Sequence, residues 1–149
     1  MAAQLSGEIS TILGALDQGM FDEGGLALLG LAGPTFDDEH YPDDEMYRTF
    51  GPQGISVLFE GRPGAQKASA VFVYMTAHGG AHAYPTPDQL IDGLSLSTAD
   101  RETVVTFMGE PAHSGGAFDI YAVDARFLHF EFDGDTLTTI TAMSEVPGL

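Results

Sequence analysis

"RFLHFEFDGDTLTTITAM", residues 126–143, is the stretch whose reading decides the fold. Leu128, Phe130 and Phe132 alternate with His129 and Glu131. That period of two puts successive side chains on opposite faces of a strand. Asp133-Gly134 follows, a dipeptide suited to a tight hairpin. The run from Thr136 to Met143 is rich in β-branched residues, which favour strands. The stretch predicts an antiparallel hairpin with Leu128, Phe130 and Phe132 in a core and His129 and Glu131 on a wet face.

Upstream, "FDIYAV" reads as a further strand, preceded by a helix from Ser97 to about Met108. Val104, Val105 and Met108 make its apolar stripe. Ser97 is the expected N-cap with Asp100 at N3, and Gly109 and Pro111 end the helix. The same order occurs earlier in the chain. A helix over Asp22 to Leu31 stops at "GLAGP", and "EMYRTF", "GISVLFE" and "SAVFVYM" follow. In the second of these Ile55, Val57 and Phe59 oppose Ser56, Leu58 and Glu60. In the third Val71, Val73 and Met75 oppose Phe72 and Tyr74.

Side by side, "EMYRTF" answers "FDIYAV", "GISVLFEG" answers "RFLHFEFDG" and "SAVFVYM" answers "TLTTITAM". Such internal repetition governs the whole architecture. One helix and three strands cannot cover both faces of their own sheet, so two copies should join. The expected class is α+β: two degenerate α–β–β–β repeats forming one antiparallel sheet with helices packed on one face. A single domain spans 1–149, with halves at 17–76 and 90–144. Leu5, Ile9, Ile12, Leu13 and Leu16 share a helical face and predict an N-terminal helix over 3–16. A Gly-, Ala-, His- and Pro-rich linker covers 77–89, in which Thr86-Pro87-Asp88-Gln89 opens a helical turn. The sheet face away from the helices would carry Phe72, Tyr74, His129 and Glu131.

The chain holds 22 acidic and 5 basic residues, a net charge of −17. Such a surface repels nucleic acid and anionic lipid and attracts cations. No cysteine is present, which removes disulfides and thiol chemistry. Neither a secretory leader nor a membrane-spanning run is recognisable, so the expected location is the cytoplasm.

Six of the acids crowd into "FDDEHYPDDEMYRTFG", residues 36–51. The stretch reads as a loop between the first Gly-Pro helix stop and the first strand. The spacing lacks the pattern of a calcium loop, and Pro42 holds Tyr41 extended and separates the acidic triplets. The corresponding connection of the second half, "AHSGGA", holds no acid, so the repeat does not require the charge. The candidate contacts for a basic partner are Asp37, Asp38, Glu39, Tyr41, Asp43, Asp44, Glu45 and Tyr47, with Phe72 and Tyr74 as a second patch. The alternative is a divalent-metal-binding module or small metal-dependent enzyme using residues 37–45 with His40. His78 and His82 in "HGGAH" are four apart, but the intervening glycines oppose a shared helical face. No nucleophile elbow or phosphate-binding glycine loop is present. The expectation is no catalytic residue, no resident metal and no cofactor.

The sequences "STADRETVVTFMGEP" and "FDIYAVDARFLHFEFDGDTLTTITAM" resemble those of small bacterial immunity proteins, which neutralise contact-dependent or type VI secreted toxins by binding them. The tandem layout is similar to that of the β-lactamase inhibitor protein, although this chain lacks cysteine. The resemblance runs over Ser97 to Met143 and more faintly over Gly24 to Met75. It implies a non-catalytic protein whose cognate toxin is basic and is blocked by an acidic surface.

Overall fold

The computed structural model describes residues 5–146. Its sheet is built from β1 (Asp37–Tyr41), β2 (Glu45–Phe50), β3 (Ile55–Glu60), β4 (Lys67–Tyr74), β5 (His113–Ser114), β6 (Phe118–Val123), β7 (Arg126–Asp133) and β8 (Thr136–Met143). The helices are α1 (Ile9–Gly14), α2 (Glu23–Ala32), α3 (Pro87–Leu90) and α4 (Arg101–Met108). The strands form one antiparallel sheet in the order β1-β2-β3-β4-β8-β7-β6-β5. Each half is a meander running inward from an outer edge, and the two meet where β4 pairs with β8. The α+β class and the antiparallel sheet are as the sequence pattern predicts, but each half has a fourth strand, β1 or β5.

The alternation seen in the sequence decides the core. Ile55, Val57, Val71, Val73, Leu128, Phe130, Phe132 and Ile140 are buried on the helix-bearing face. They form one cluster with Ile9, Ile12 and Leu16 of the N-terminal segment, Leu28 of α2, Leu90 of α3 and Ile91 just after it, and Val104 and Met108 of α4. Burying a Leu, Val or Phe side chain is worth about 1.5–3 kcal/mol, so this cluster fixes which face of the sheet is inner. A slip of one residue would reverse that assignment in a strand.

Several local expectations are corrected. The N-terminal helix is shorter than 3–16: it begins at Ile9, and residues 3–4 lie outside the described residues. Gly7 has φ +109, and a Cβ there would lie 2.7 Å from the Leu90 carbonyl oxygen. The chain at residues 6–8 instead bonds alongside 89–92, with the Glu8 N–H donating to Gln89 O at 3.1 Å.

The N-cap of α4 is Asp100, not Ser97. The Asp100 carboxylate accepts from the Thr103 N–H at 2.8 Å and from the Thr103 hydroxyl at 2.7 Å, satisfying a free helix donor. Ser97 is engaged elsewhere, its N–H and hydroxyl both donating to Asp88. Proline does open the turn α3, but the Thr86 hydroxyl makes no capping bond and donates to Glu8 at 2.9 Å. In the β7–β8 hairpin Asp133 pairs with Thr136, so the two loop residues are Gly134 and Asp135. Gly134 supplies the positive φ, +63.

The acidic stretch is not a loop. Residues 37–41 are strand β1, paired residue for residue with β2 from Asp37↔Thr49 to Tyr41↔Glu45. Only Pro42, Asp43 and Asp44 are loop, and both aspartates take positive φ (67 and 58). Aspartate is among the few residues that tolerate this conformation.

Candidate functional site

The face opposite the helices is uncovered, and strand register lines its side chains up in rows. One row crosses all eight strands: His113, Ile120, His129, Thr141, Phe72, Ser56, Thr49 and Asp37. The next contains Phe118, Glu131, Thr139 and Tyr74. A third contains Phe127, Met143, Ala70, Leu58, Tyr47 and Glu39. The first row from His113 to Phe72, the second row, and Met143 and Tyr47 of the third line a trough of about 840 Å³. Ile120 and Thr141 at its floor, and Ser56 beside it on the same face, are at most 5% exposed.

Aromatic rings make its walls. Tyr74 stacks on His78 with centroids 4.8 Å apart, and Phe118 stacks on His129 at 5.3 Å. Tyr47 contacts Phe72 at 6.1 Å and meets Tyr41 edge-on at 5.5 Å. The two patches that the sequence leaves separate, Tyr41 with Tyr47 and Phe72 with Tyr74, thus lie on one surface. The Tyr74 hydroxyl donates to Ser56 Oγ at 3.1 Å, and Ser56 and Thr49 share a 2.9 Å hydrogen bond. This network fixes the Tyr74 ring. Burial lowers the pKa of His129 against an opposing pull from Glu131. The Tyr47 hydroxyl is pushed up by burial and then by the Glu45 and Glu60 carboxylates, which keeps it a neutral donor.

Two hollows adjoin the trough through Tyr47. Asp37, Glu39 and Glu45 line one; Glu45, Glu60, Glu145 and Lys67 line the other. Histidine apart, the one basic side chain among the described residues lining any of the three is Lys67, in the second hollow.

Strand pairing separates the six acids of residues 37–45. Asp37, Glu39 and Glu45 belong to the open face, where Glu39 accepts from the Tyr41 hydroxyl at 2.8 Å. Asp38 belongs to the helix side. Its two oxygens accept from Arg48 Nε at 2.8 Å and Nη2 at 2.9 Å, and this guanidinium lies 3.9 Å from the centroid of the Phe36 ring. The hydrogen bonds from Arg48 hold the Asp38 carboxyl below the usual carboxylate range. Asp38, although exposed, is therefore engaged in an ion pair on the helix side rather than displayed with the others. Asp43 and Asp44 stand at the hairpin tip, exposed.

A second ion-pair cluster, its aspartate buried and not apparent in the sequence, fixes the opposite edge. Asp119 of β6 is 1% exposed. It accepts from Arg101 Nε at 3.0 Å and Nη2 at 2.9 Å, and from the Ser114 hydroxyl. Arg101 also donates to the carbonyls of Gly115, Gly116 and Phe118. With a further bond to Ser114 Oγ at 3.2 Å, six hydrogen bonds from one guanidinium thus hold the β5–β6 edge against α4. Arg101, foremost by hydrogen bonding, holds the Asp119 carboxyl below its ordinary range. Asp119 thus ties the Ser114 hydroxyl and Arg101 together and positions this edge. The signal was one arginine at the start of a helix and one aspartate in an apolar strand, too little to pair them from sequence.

Among the described residues, no three His, Asp or Glu side chains converge as a metal site. No helix among those residues is long and apolar enough to cross a membrane. Comparison with protein-family models, curated proteins and solved structures finds no significant match to this chain. The functional reading accordingly rests on the face just described.

Proposed function

We propose that this chain is a non-catalytic binding protein of the immunity type, which neutralises a basic secreted toxin by covering its active site. The observation that carries the reading is the uncovered sheet face: an aromatic trough flanked by two carboxylate-lined hollows, with Lys67 of one hollow the one lysine or arginine among the described residues lining them. Aromatic anchors within a charged rim suit tight protein recognition. The net charge of −17 would speed encounter with a cation-rich partner and repel nucleic acid. The proposed contacts are Tyr41, Tyr47, Phe72 and Tyr74 in the aromatic run, with Asp37, Glu39, Asp43, Asp44 and Glu45 as the acidic border. Asp38 contributes by bracing β1 through Arg48.

The test is the triple change Asp43→Lys, Asp44→Lys, Glu45→Lys, with binding to the toxin encoded beside this chain followed by calorimetry at low and physiological salt. A loss of affinity of about fivefold or more, with a shallower salt dependence, is the expected result. Unchanged affinity and unchanged salt slope would remove the hairpin from the interface.

A further inference from the structure

The molecule twice shows what it does with a neighbouring aromatic ring and carboxylate. Asp38 and Phe36 together hold the Arg48 guanidinium, by two hydrogen bonds and a ring contact at 3.9 Å. Asp119 holds Arg101, whose guanidinium carbon lies 5.4 Å from the Phe132 centroid. Both pairs are filled by the chain's own arginines. On the open face the same combination recurs without one. Glu131 stands in register between Phe118 on β6 and Thr139 on β8, and Tyr74 on β4 is the next residue along the row. Glu131 is exposed, and among the described residues it makes no ion pair.

We infer that this row is a receptor for an arginine side chain of the partner, the guanidinium lying above Thr139 between the Tyr74 ring and the Glu131 carboxylate. The inference deepens the binding function proposed above and rests on it. The dimensions suit the occupant. Tyr74 and Glu131 are two strands apart, so their backbones are separated by about 10 Å at the usual strand spacing. Both side chains line the trough, and a guanidinium can engage a ring within about 6 Å and a carboxylate oxygen at about 3 Å at once, using the Tyr74 face that His78 does not cover. Its planar fork suits stacking and paired hydrogen bonds better than the compact ammonium of lysine. The Thr139 and Thr141 hydroxyls are further acceptors at the floor of the trough. Within the trough Glu131 is the one carboxylate among the described lining residues, and the carboxylates of the two adjoining hollows add a longer-range preference for a cation.

The experiment uses the full chain and three blocked pentapeptides, with arginine, lysine or citrulline between pairs of glycines. Backbone amide NMR shifts report where and how tightly each binds. The arginine peptide is expected to shift the amides of Tyr74, Glu131, Thr139 and Thr141 in a saturable manner, with lysine weaker and uncharged citrulline inactive. Glu131→Gln, at an exposed position, is expected to weaken the arginine peptide about tenfold with an unchanged circular dichroism spectrum. Equal binding of citrulline, shifts confined to the acidic hairpin, or full affinity in Glu131→Gln would overturn the inference. Free arginine amide binding more tightly than the peptide would also overturn it, by making the occupant a small molecule. The outcomes separate the two proposals. Toxin binding that survives Glu131→Gln defeats the arginine receptor alone. Peptide binding in the trough without toxin binding defeats the immunity function alone.

Discussion

Replacing Asp119 by alanine tests the reading of the β5 edge. Asp119 is 1% exposed and holds Arg101 through two guanidinium bonds. Breaking a buried ion pair by deleting one partner costs about 3–5 kcal/mol. The Arg101 side chain keeps 24% of its exposure, so water can recover part of the loss. A destabilisation of about 2–3 kcal/mol remains, which for a chain of this size lowers Tm by about 5–10 °C. The pH dependence supplies a second check. The folded-state pKa of Asp119 is lowered, so its contribution is complete above the ordinary aspartate value of about 3.9 and is lost as pH falls through the lowered one. The gap between wild type and Asp119→Ala should therefore be full near neutrality and narrow at acid pH. Urea unfolding followed by far-ultraviolet circular dichroism measures both, and amide exchange should quicken over residues 113–118. A gap below about 1 kcal/mol, or one that does not change with pH, would refute the reasoning.

Two further expectations concern the trough and its support. The C2 proton of His129 should titrate below the ordinary histidine value of about 6.5, because burial disfavours its charged form. With its folded pKa lowered, its share of stability is complete above that value and is given up as pH falls through the lower one; a midpoint at or above the ordinary value would show that the pull of Glu131 outweighs the ring's partial burial. Gly54→Ala should destabilise by about 1–3 kcal/mol, because Gly54 has φ +65 and an added Cβ would lie 2.4 Å from the His82 carbonyl oxygen. Gly64→Ala, at φ +87 but with open space around its position, is the control and should cost less in the same urea assay.

Much of the sheet could be read in the sequence because strand alternation is local. Leu128, Phe130 and Phe132 declare the buried face of β7, and the matching patterns in β3 and β4 reveal the repeat. What escaped depends on partners distant in sequence. β1 has all five residues exposed, so no apolar alternation marks it; pairing with β2 makes it a strand. The two-residue β5 is likewise too short to show a period and is held by Arg101. Acid crowding in residues 37–45 looked like one charge cluster, yet pairing with Arg48 turns Asp38 to the helix side and turn geometry accounts for Asp43 and Asp44. The aromatic patches were legible as residues, but their union came from register: Tyr47 and Phe72 meet across the sheet although 25 positions separate their residue numbers.

The inward-running order of the two meanders leaves β1 and β5 as the flanks of the sheet. A flank is where another chain can add as an extra strand, and long uncharged flanks invite polymerisation. Here one flank bears Asp37, Asp38 and Glu39 in five residues and the other is two residues long. Sideways growth is disfavoured at both ends, leaving the broad face as the approach for another molecule.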